Sequence, residues 1–229
     1  MIVDPPLLTV RRRFPRPAAS SLHALKGVQT GHLIDAMEGR GALDAVIKPI
    51  DPQCAGFVGT ALTCQTGPSD NLAILGALAV AKPGDVIVAA ADAFATTAVI
   101  GDNVAMMAKN QGVVALVADG MVRDTPGIVA AGLPVFARGV TPNSCVRSGP
   151  GRIGLPIICG GVAIDSGDVV LGDVDGVVVV PRAMLKLVIA RLAQVLAAEQ
   201  ALQARIAEGL GVLDPIEELM RSDRVRYVD

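Results

Sequence analysis

The chain has 229 residues, a formal net charge of −2, 52% hydrophobic and 18% charged side chains, and only 2% aromatics with no tryptophan. That is enough apolar material for a sizeable aliphatic core and too much for a disordered chain. The charge balance gives no global basic field and the scarcity of rings leaves nothing to stack bases on, so no nucleic-acid partner is expected.

Cysteines Cys54, Cys64, Cys145 and Cys159 form no CxxC pair, and His23 and His32 are the only histidines. A Cys/His zinc site is therefore poorly supported, and cysteine as a small buried hydrophobe is the plainer reading. No uncharged apolar run approaches the ~20 residues of a membrane helix, and the N-terminus has no apolar signal region. The expectation is a cytoplasmic protein with no membrane partner.

Residues 1–17 are rich in Pro and Arg and read as an extended arm, with Arg11-Arg12-Arg13 and Arg16 as a solvated basic cluster. A short serine-capped helix is expected over Ser20–Lys26, and a second from Thr30, as N-cap, to about Glu38. Val46–Ile50 reads as a strand ended by Pro49. Phe57–Gln65 reads as a better one, with Val58, Thr60, Leu62 and Cys64 alternating against the other face. Ser69, Asp70 and Asn71 are capping residues before a helix over Leu72–Ala81. The turn Lys82–Asp85 leads into strand Val86–Ala90.

Helical spacing of Val104, Met107 and Ala108 predicts a helix after Gly101, broken at Gly112. Val113–Val117 is a buried-strand run and Asp119-Gly120 a turn. Pro126 opens a short helix to about Gly132, followed by strand Leu133–Ala137. Residues 139–156 read as a long Gly/Pro/Ser/Asn loop. The segment 157–181 predicts a meander of three short strands, with Asp168, Asp173 and Asp175 in its turns. Pro181 opens a long helix to about Glu208, with a stripe of Leu185, Val188, Leu192, Val195 and Leu196. Asp214-Pro215 starts a last short helix. The pattern is α/β with a β-rich second half, without internal repeat or convincing domain boundary.

Chemistry concentrates between Gly101 and Asp124. A helix start offers free N–H groups and a positive dipole end to a carboxylate or phosphate. A loop beyond a strand's C-terminal end is the usual ligand position in an open α/β sheet. Asp102, Arg123 and Asp124 flank this helix–strand unit. Carboxylates with waters suit a hard divalent cation, and an arginine suits an oxyanion. Arg138 and Arg147, flanking the long loop, are candidates for a substrate's distal carboxylate.

Gly101-Asp102-Asn103-Val104-Ala105 and the run DGMVRD at 119–124 resemble the family of 4-hydroxy-4-methyl-2-oxoglutarate aldolases and regulators of ribonuclease activity. Asp102, the residues 103–122 and Arg123-Asp124 match the aldolase spacing. KPGDVIVA at 82–89, PVFARGVTP at 134–142 and SGDVVLGDVDGVVVVP at 166–181 extend the similarity over roughly 28–205. The resemblance implies an α-β-β-α sandwich with mixed sheets of the swivelling β/β/α type. It also implies one RraA-like domain over 1–229, with an N-terminal arm and a helical extension over about 182–229. A homotrimer or dimer of trimers is implied, with the site near a subunit interface.

By the same resemblance, Gly101, Asp102, Asn103 and Val104 bind the pyruvate-like part of an oxo-acid substrate. Arg123 contacts the keto acid and steadies the enolate, Asp124 holds the metal (Mg²⁺ or Mn²⁺), and Asp102 positions a water. The activity implied is a class II aldolase with oxaloacetate decarboxylase side activity. The ribonuclease-regulator branch often lacks the carboxylate after the arginine, so Asp102 and Asp124 together favour the enzyme over a non-catalytic regulator. The five lysines, Lys26, Lys48, Lys82, Lys109 and Lys186, lie away from the 123–124 pair in sequence, which favours a metal over an imine. No GxGxG-type loop follows a strand, so a methyltransferase is poorly supported.

Overall fold

The computed structural model describes residues 4–228. Its centre is four parallel strands in the order β3 (Phe57–Gln65), β4 (Asp85–Ala90), β6 (Ala115–Ala118) and β8 (Val135–Ala137). Helices α3 (Leu72–Leu78), α4 (Asp102–Asn110) and α5 (Thr125–Ala131) cross between successive strands. These helices pack Ala73, Ile74, Ala105, Ala108 and Ile128 against Leu62, Ile87, Leu116 and Val135. β4 and β6 are buried along their full length, as expected of parallel strands covered on both faces. β3 is buried on both faces over most of its length, so both sets of alternating side chains meet protein.

β3 is long enough to hold two antiparallel partners on one edge. Its N-terminal half pairs with β13 (Val169–Asp173) and its C-terminal end with β10 (Gly151–Ile153). The hairpin of β13 and β14 (Gly176–Val180) uses the period of two to serve two cores. Val170, Val177 and Val179 meet Ala61, Val86, Val88 and Phe136 behind the central sheet. Val169, Leu171, Val178 and Val180 meet α2 (Thr30–Ala36) and α6 (Leu185–Ala207) through Leu33, Leu185, Val188 and Leu192. Helices, sheet, hairpin layer and helices follow one another, which is the expected α-β-β-α sandwich. A separate ribbon of β11 (Ile157–Cys159) and β12 (Val162–Ile164) adds Ile157, Cys159 and Ile164 to the second core. The expected three-strand meander is thus four strands divided between two sheets.

Several local expectations change with the tertiary structure. The strand at 46–50 shrinks to β2 (Lys48–Pro49) against β8. α1 spans Ala19–Ala24 with Ala18 as N-cap. Thr30 is not the cap but the first residue of α2; its N–H and hydroxyl both donate to the Asp173 carboxylate at 2.8 Å. Asp173 and Asp168 hold turns, as expected: Asp173 also accepts from the Asp175 N–H, and Asp168 from those of Asp165 and Arg182.

The basic cluster divides. Arg12 and Arg13 are exposed, but Arg11 pairs with Asp165 and Arg16 with Asp85, whose side chain is fully buried. Just before them β1 (Leu8–Val10) runs parallel to β10. The arm is a strap across the sheet edge, not a solvated tail. Residues 1–3 lie outside the described residues. At the other end, α6 buries Leu185, Val188 and Leu192, then leaves the body; Leu196 is 39% exposed, and α7 (Asp214–Met220) buries nothing. No helix among the described residues is long and apolar enough to cross a membrane.

Candidate active site

Three short parallel strands, invisible to periodicity arguments, build the site. β5 (Ala98–Ile100), β7 (Met121–Val122) and β9 (Gly139–Val140) each follow a strand of the central sheet and form a small sheet of their own in that order. The Arg123 N–H donates to the Ile100 carbonyl at 3.0 Å and that of Thr141 to Val122 at 2.9 Å. Gly101-Asp102, Arg123-Asp124 and the 141–150 loop therefore leave the sheet side by side, at its C-terminal end. The strand delivering Arg123-Asp124 is β7, not the expected Val113–Val117 run.

These exits line one cleft enclosing about 100 Å³, a few water molecules' worth. Every residue nominated from the sequence, Gly101, Asp102, Asn103, Val104, Arg123 and Asp124, lines it. α4 begins at Asp102 with Gly101 as N-cap. The Asp102 carboxylate accepts the Asn103 N–H at 2.6 Å. The N–H groups of Asp102 and Val104, in the first turn, remain for a ligand, at the positive end of the helix dipole.

Asp124 is the N-cap of α5 with φ 58°, a left-handed conformation that aspartate tolerates better than most residues. This turns its carboxylate back to the cleft, where Oδ2 lies 3.1 Å from Arg123 Nε. Arg123 Nη1 donates to Ser144 Oγ, so the guanidinium is held from both sides.

Two glycines allow the carboxylates to approach. A Cβ on Gly101 would lie 2.8 Å from Asp124 Oδ2, and one on Gly127 only 2.5 Å from Asp102 Cβ and 2.7 Å from its Oδ2. The two acids thus sit in the crevice between the starts of α4 and α5. No group of three or more His, Cys, Asp or Glu side chains converges as a metal cage among the described residues. Two carboxylates with room beside them suit Mg²⁺, which keeps several waters and takes one or two protein carboxylates. They do not suit a soft metal.

Asn71, Ser144 and Cys145 also line the cleft, and sequence reasoning gave them no place there. Asn71 has its Nδ2 on the Val99 carbonyl at 3.2 Å, while its buried Oδ1 has no partner. Burial pushes the Cys145 thiol above its ordinary value, although Arg147 and Arg123 oppose this; it stays protonated at neutral pH. Of the two arginines considered for a distal carboxylate, Arg147 lines the cleft and Arg138 does not: Arg138 pairs with Asp44 at 2.9 Å. None of the lysines lines the cleft; Lys109 caps α5 by donating to the Ala131 carbonyl at 2.6 Å.

Asp119, expected as a turn residue, is a buried latch. It accepts the Ala91 N–H at 2.5 Å and lies near those of Ala93 and Gly160. Burial raises its pKa despite these donors. It pins the turn at Asp92 and Ala93, both with positive φ, that leads from β4 to β5.

Fold and cleft together define an α/β sandwich with a small polar cleft where three parallel strands end. Residues 30–179 match the RraA-like family, described as Aldolase/RraA, and the chain belongs to that family. A Halalkalibacterium halodurans protein provisionally named 4-hydroxy-4-methyl-2-oxoglutarate aldolase is 38% identical over 183 residues, covering 80% of this chain and 87% of that one. Among solved structures, an uncharacterized Pseudomonas syringae protein superposes with TM-score 0.74 at 26% identity, covering 86% of this chain and 96% of its own. Streptomyces coelicolor RraAS2, titled an unusual member of the RNase ES inhibitor RraA protein family, gives TM-score 0.74 at 26% identity, covering 83% and 100%.

Proposed function

We propose that the protein is a divalent-metal-dependent lyase that cleaves a 4-hydroxy-2-oxo diacid, such as 4-hydroxy-4-methyl-2-oxoglutarate or 4-carboxy-4-hydroxy-2-oxoadipate, to pyruvate and a second oxo acid. The observation that carries this reading is the convergence of the α4 N-terminus, Arg123 and the Asp102/Asp124 pair on one small cleft. The enclosed volume suits a pyruvate-sized fragment.

In this reading the substrate carboxylate accepts the free N–H groups of Asp102 and Val104. Arg123 donates to the keto oxygen through guanidinium N–H groups not engaged by Asp124 and Ser144. Asp102, through an ordered water, takes the proton of the C4 hydroxyl. The C3–C4 bond then breaks, C4 becomes the carbonyl of the departing oxo acid, and the electron pair becomes the pyruvate enolate. Arg123 offsets the negative charge that grows on the enolate oxygen. Protonation at C3 completes pyruvate. A Mg²⁺ or Mn²⁺ held by Asp124 and water would supply Lewis-acid polarisation of the keto oxygen. Oxaloacetate would lose CO₂ by the same enolate chemistry.

The test is pyruvate release from these diacids and from oxaloacetate, with and without chelator. Turnover that needs Mg²⁺ or Mn²⁺, with no lysine adduct trapped by borohydride and pyruvate, is the expected result. Turnover surviving chelation, with a trapped adduct, would overturn the mechanism. A second reading follows from the Streptomyces relative, a member of a ribonuclease-inhibitor family: a regulator acting through its surface, which would show no turnover on any of these acids. The same proposal takes the assembly as a homotrimer or dimer of trimers. Sedimentation at micromolar concentration checks it, and a monomer would refute it.

A further inference from the structure

We propose that Arg147 selects the substrate by receiving its second carboxylate, and that the buried carboxylate of Asp70 is the positioning residue that holds Arg147 at the cleft. The inference rests on the oxo-acid reading of the cleft and adds to it a residue that decides between diacids and monoacids.

The cleft, of about 100 Å³, is open at its mouth, and a diacid whose keto acid sits at the α4 N-terminus carries its second carboxylate at the far end of the molecule. The distal half must extend toward the mouth. Arg147 is exposed and lines the cleft, and among the described residues its side chain has no hydrogen-bond or ion-pair partner. Arg123, by contrast, is held by Asp124 and Ser144. Arg147 is therefore the cation of the cleft left to meet a second anion, and its planar fork suits a carboxylate.

An exposed arginine on a loose loop would select nothing. This one sits on a backbone fastened on both sides. Before it, the Ala98 N–H donates to the Asn143 carbonyl at 2.9 Å, and Val146 exchanges hydrogen bonds with Ser69 at 2.8 Å and Asn71 at 3.1 Å. After it, the Asp70 Oδ2 accepts the N–H groups of Ser148 at 2.5 Å and Gly149 at 2.9 Å. Asp70 Oδ1 accepts the Leu72 N–H at 2.8 Å, which ties the clamp to the start of α3. The clamp draws on strained backbone, since Ser69 has φ 60°. Asn71, one residue on, lines the same cleft and donates its Nδ2 to the Val99 carbonyl at 3.2 Å, which ties this wall to β5.

The experiment compares 2-oxoglutarate with 2-oxopentanoate, which share chain length and keto acid and differ only in the distal carboxylate. Binding to the full chain is measured by calorimetry, with and without Mg²⁺, for wild type, Arg147→Gln, Arg147→Lys and Asp70→Asn. One charge-assisted bidentate contact predicts a wild-type preference for the diacid of about tenfold or more. The preference should fall to near unity in Arg147→Gln and be partly kept in Arg147→Lys. In Asp70→Asn it should also shrink, with pyruvate affinity and the circular dichroism spectrum retained. An equal diacid preference in wild type and Arg147→Gln overturns the role of Arg147 even if the protein proves to be a lyase. An Arg147-dependent preference without any turnover upholds it and removes the lyase reading. Failure of both acids to bind overturns both.

Discussion

Two arginine–aspartate pairs in this molecule use the same chemistry for opposite ends. Arg16 reaches from the N-terminal strap to Asp85 at the start of β4, with both guanidinium nitrogens on the carboxylate and the Asp85 side chain completely buried. Asp85 also accepts the Lys82 N–H at 2.9 Å, and Arg16 lies over the Phe14 ring at 4.6 Å. Both Asp85 carboxylate oxygens have protein partners. In the cleft, Arg123 and Asp124 are neighbours in sequence, both side chains are about two-fifths exposed, and free donor and acceptor positions remain. The first pair is closed and holds the chain together. The second is open and held in place for something else. What separates them is burial and completeness of the hydrogen bonding around the pair, not the pair itself.

The sharpest way to break this comparison is Arg16→Met. It strands a buried carboxylate, a situation that costs 3–5 kcal/mol in general. Because the guanidinium is partly solvent-reached, about 3 kcal/mol of unfolding free energy is expected to be lost. Denaturant melts check this, and an unchanged midpoint would refute the structural role of the strap.

The mirror experiment is Arg123→Lys. An ammonium does not reproduce the planar fork, so turnover should fall roughly a hundredfold, about 2.7 kcal/mol, with thermal stability near wild type. Asp124→Asn should behave likewise, because asparagine also tolerates the left-handed backbone and the loss is a ligand for a hard cation. Metal titration alongside turnover tests it; unchanged metal affinity would remove Asp124 from the site.

A smaller effect separates the clamp from both pairs. Burial alone would raise the Asp70 pKa, but the N–H groups of Leu72, Ser148 and Gly149 and the Thr66 hydroxyl outweigh it and hold the value below the ordinary 3.8. A depressed carboxylate contributes stability above its unfolded value, and that contribution is lost as pH falls through the lowered folded one. Acid melts of wild type should therefore show a decline below about pH 3.8 that is shallower in Asp70→Asn. Parallel acid profiles would count against the clamp. The smallest effect belongs to Arg205–Asp214, both side chains at least half exposed. Arg205→Ala should change stability by less than about 0.5 kcal/mol in the same melts, as exposed pairs do. A loss as large as that of Arg16→Met would show that exposure is not what distinguishes these pairs.

The sequence by itself determined the elements whose own side chains carry the signal. β4 and β6 show as apolar runs, the buried turns of α6 as a stripe at helical spacing, and the α5 boundaries as Pro126 and Gly132. The cleft residues Gly101–Val104 and Arg123-Asp124 were legible through a motif, since spacing alone does not separate them from any surface pair. Tertiary structure decided the rest. β5, β7 and β9 are two or three residues long and have no periodicity to detect; they exist because the chain leaves β4, β6 and β8 in parallel. The 139–156 stretch has loop composition, yet holds β9 and β10, because its hydrogen-bond partners lie far away at Leu7, Thr63, Ser69 and Asp70. The arm composition said nothing of Asp85 or Asp165, and only folding showed which arginines would find them. Local sequence encodes which faces need burying. Which distant backbone groups and charges then complete one another is decided when those faces pack.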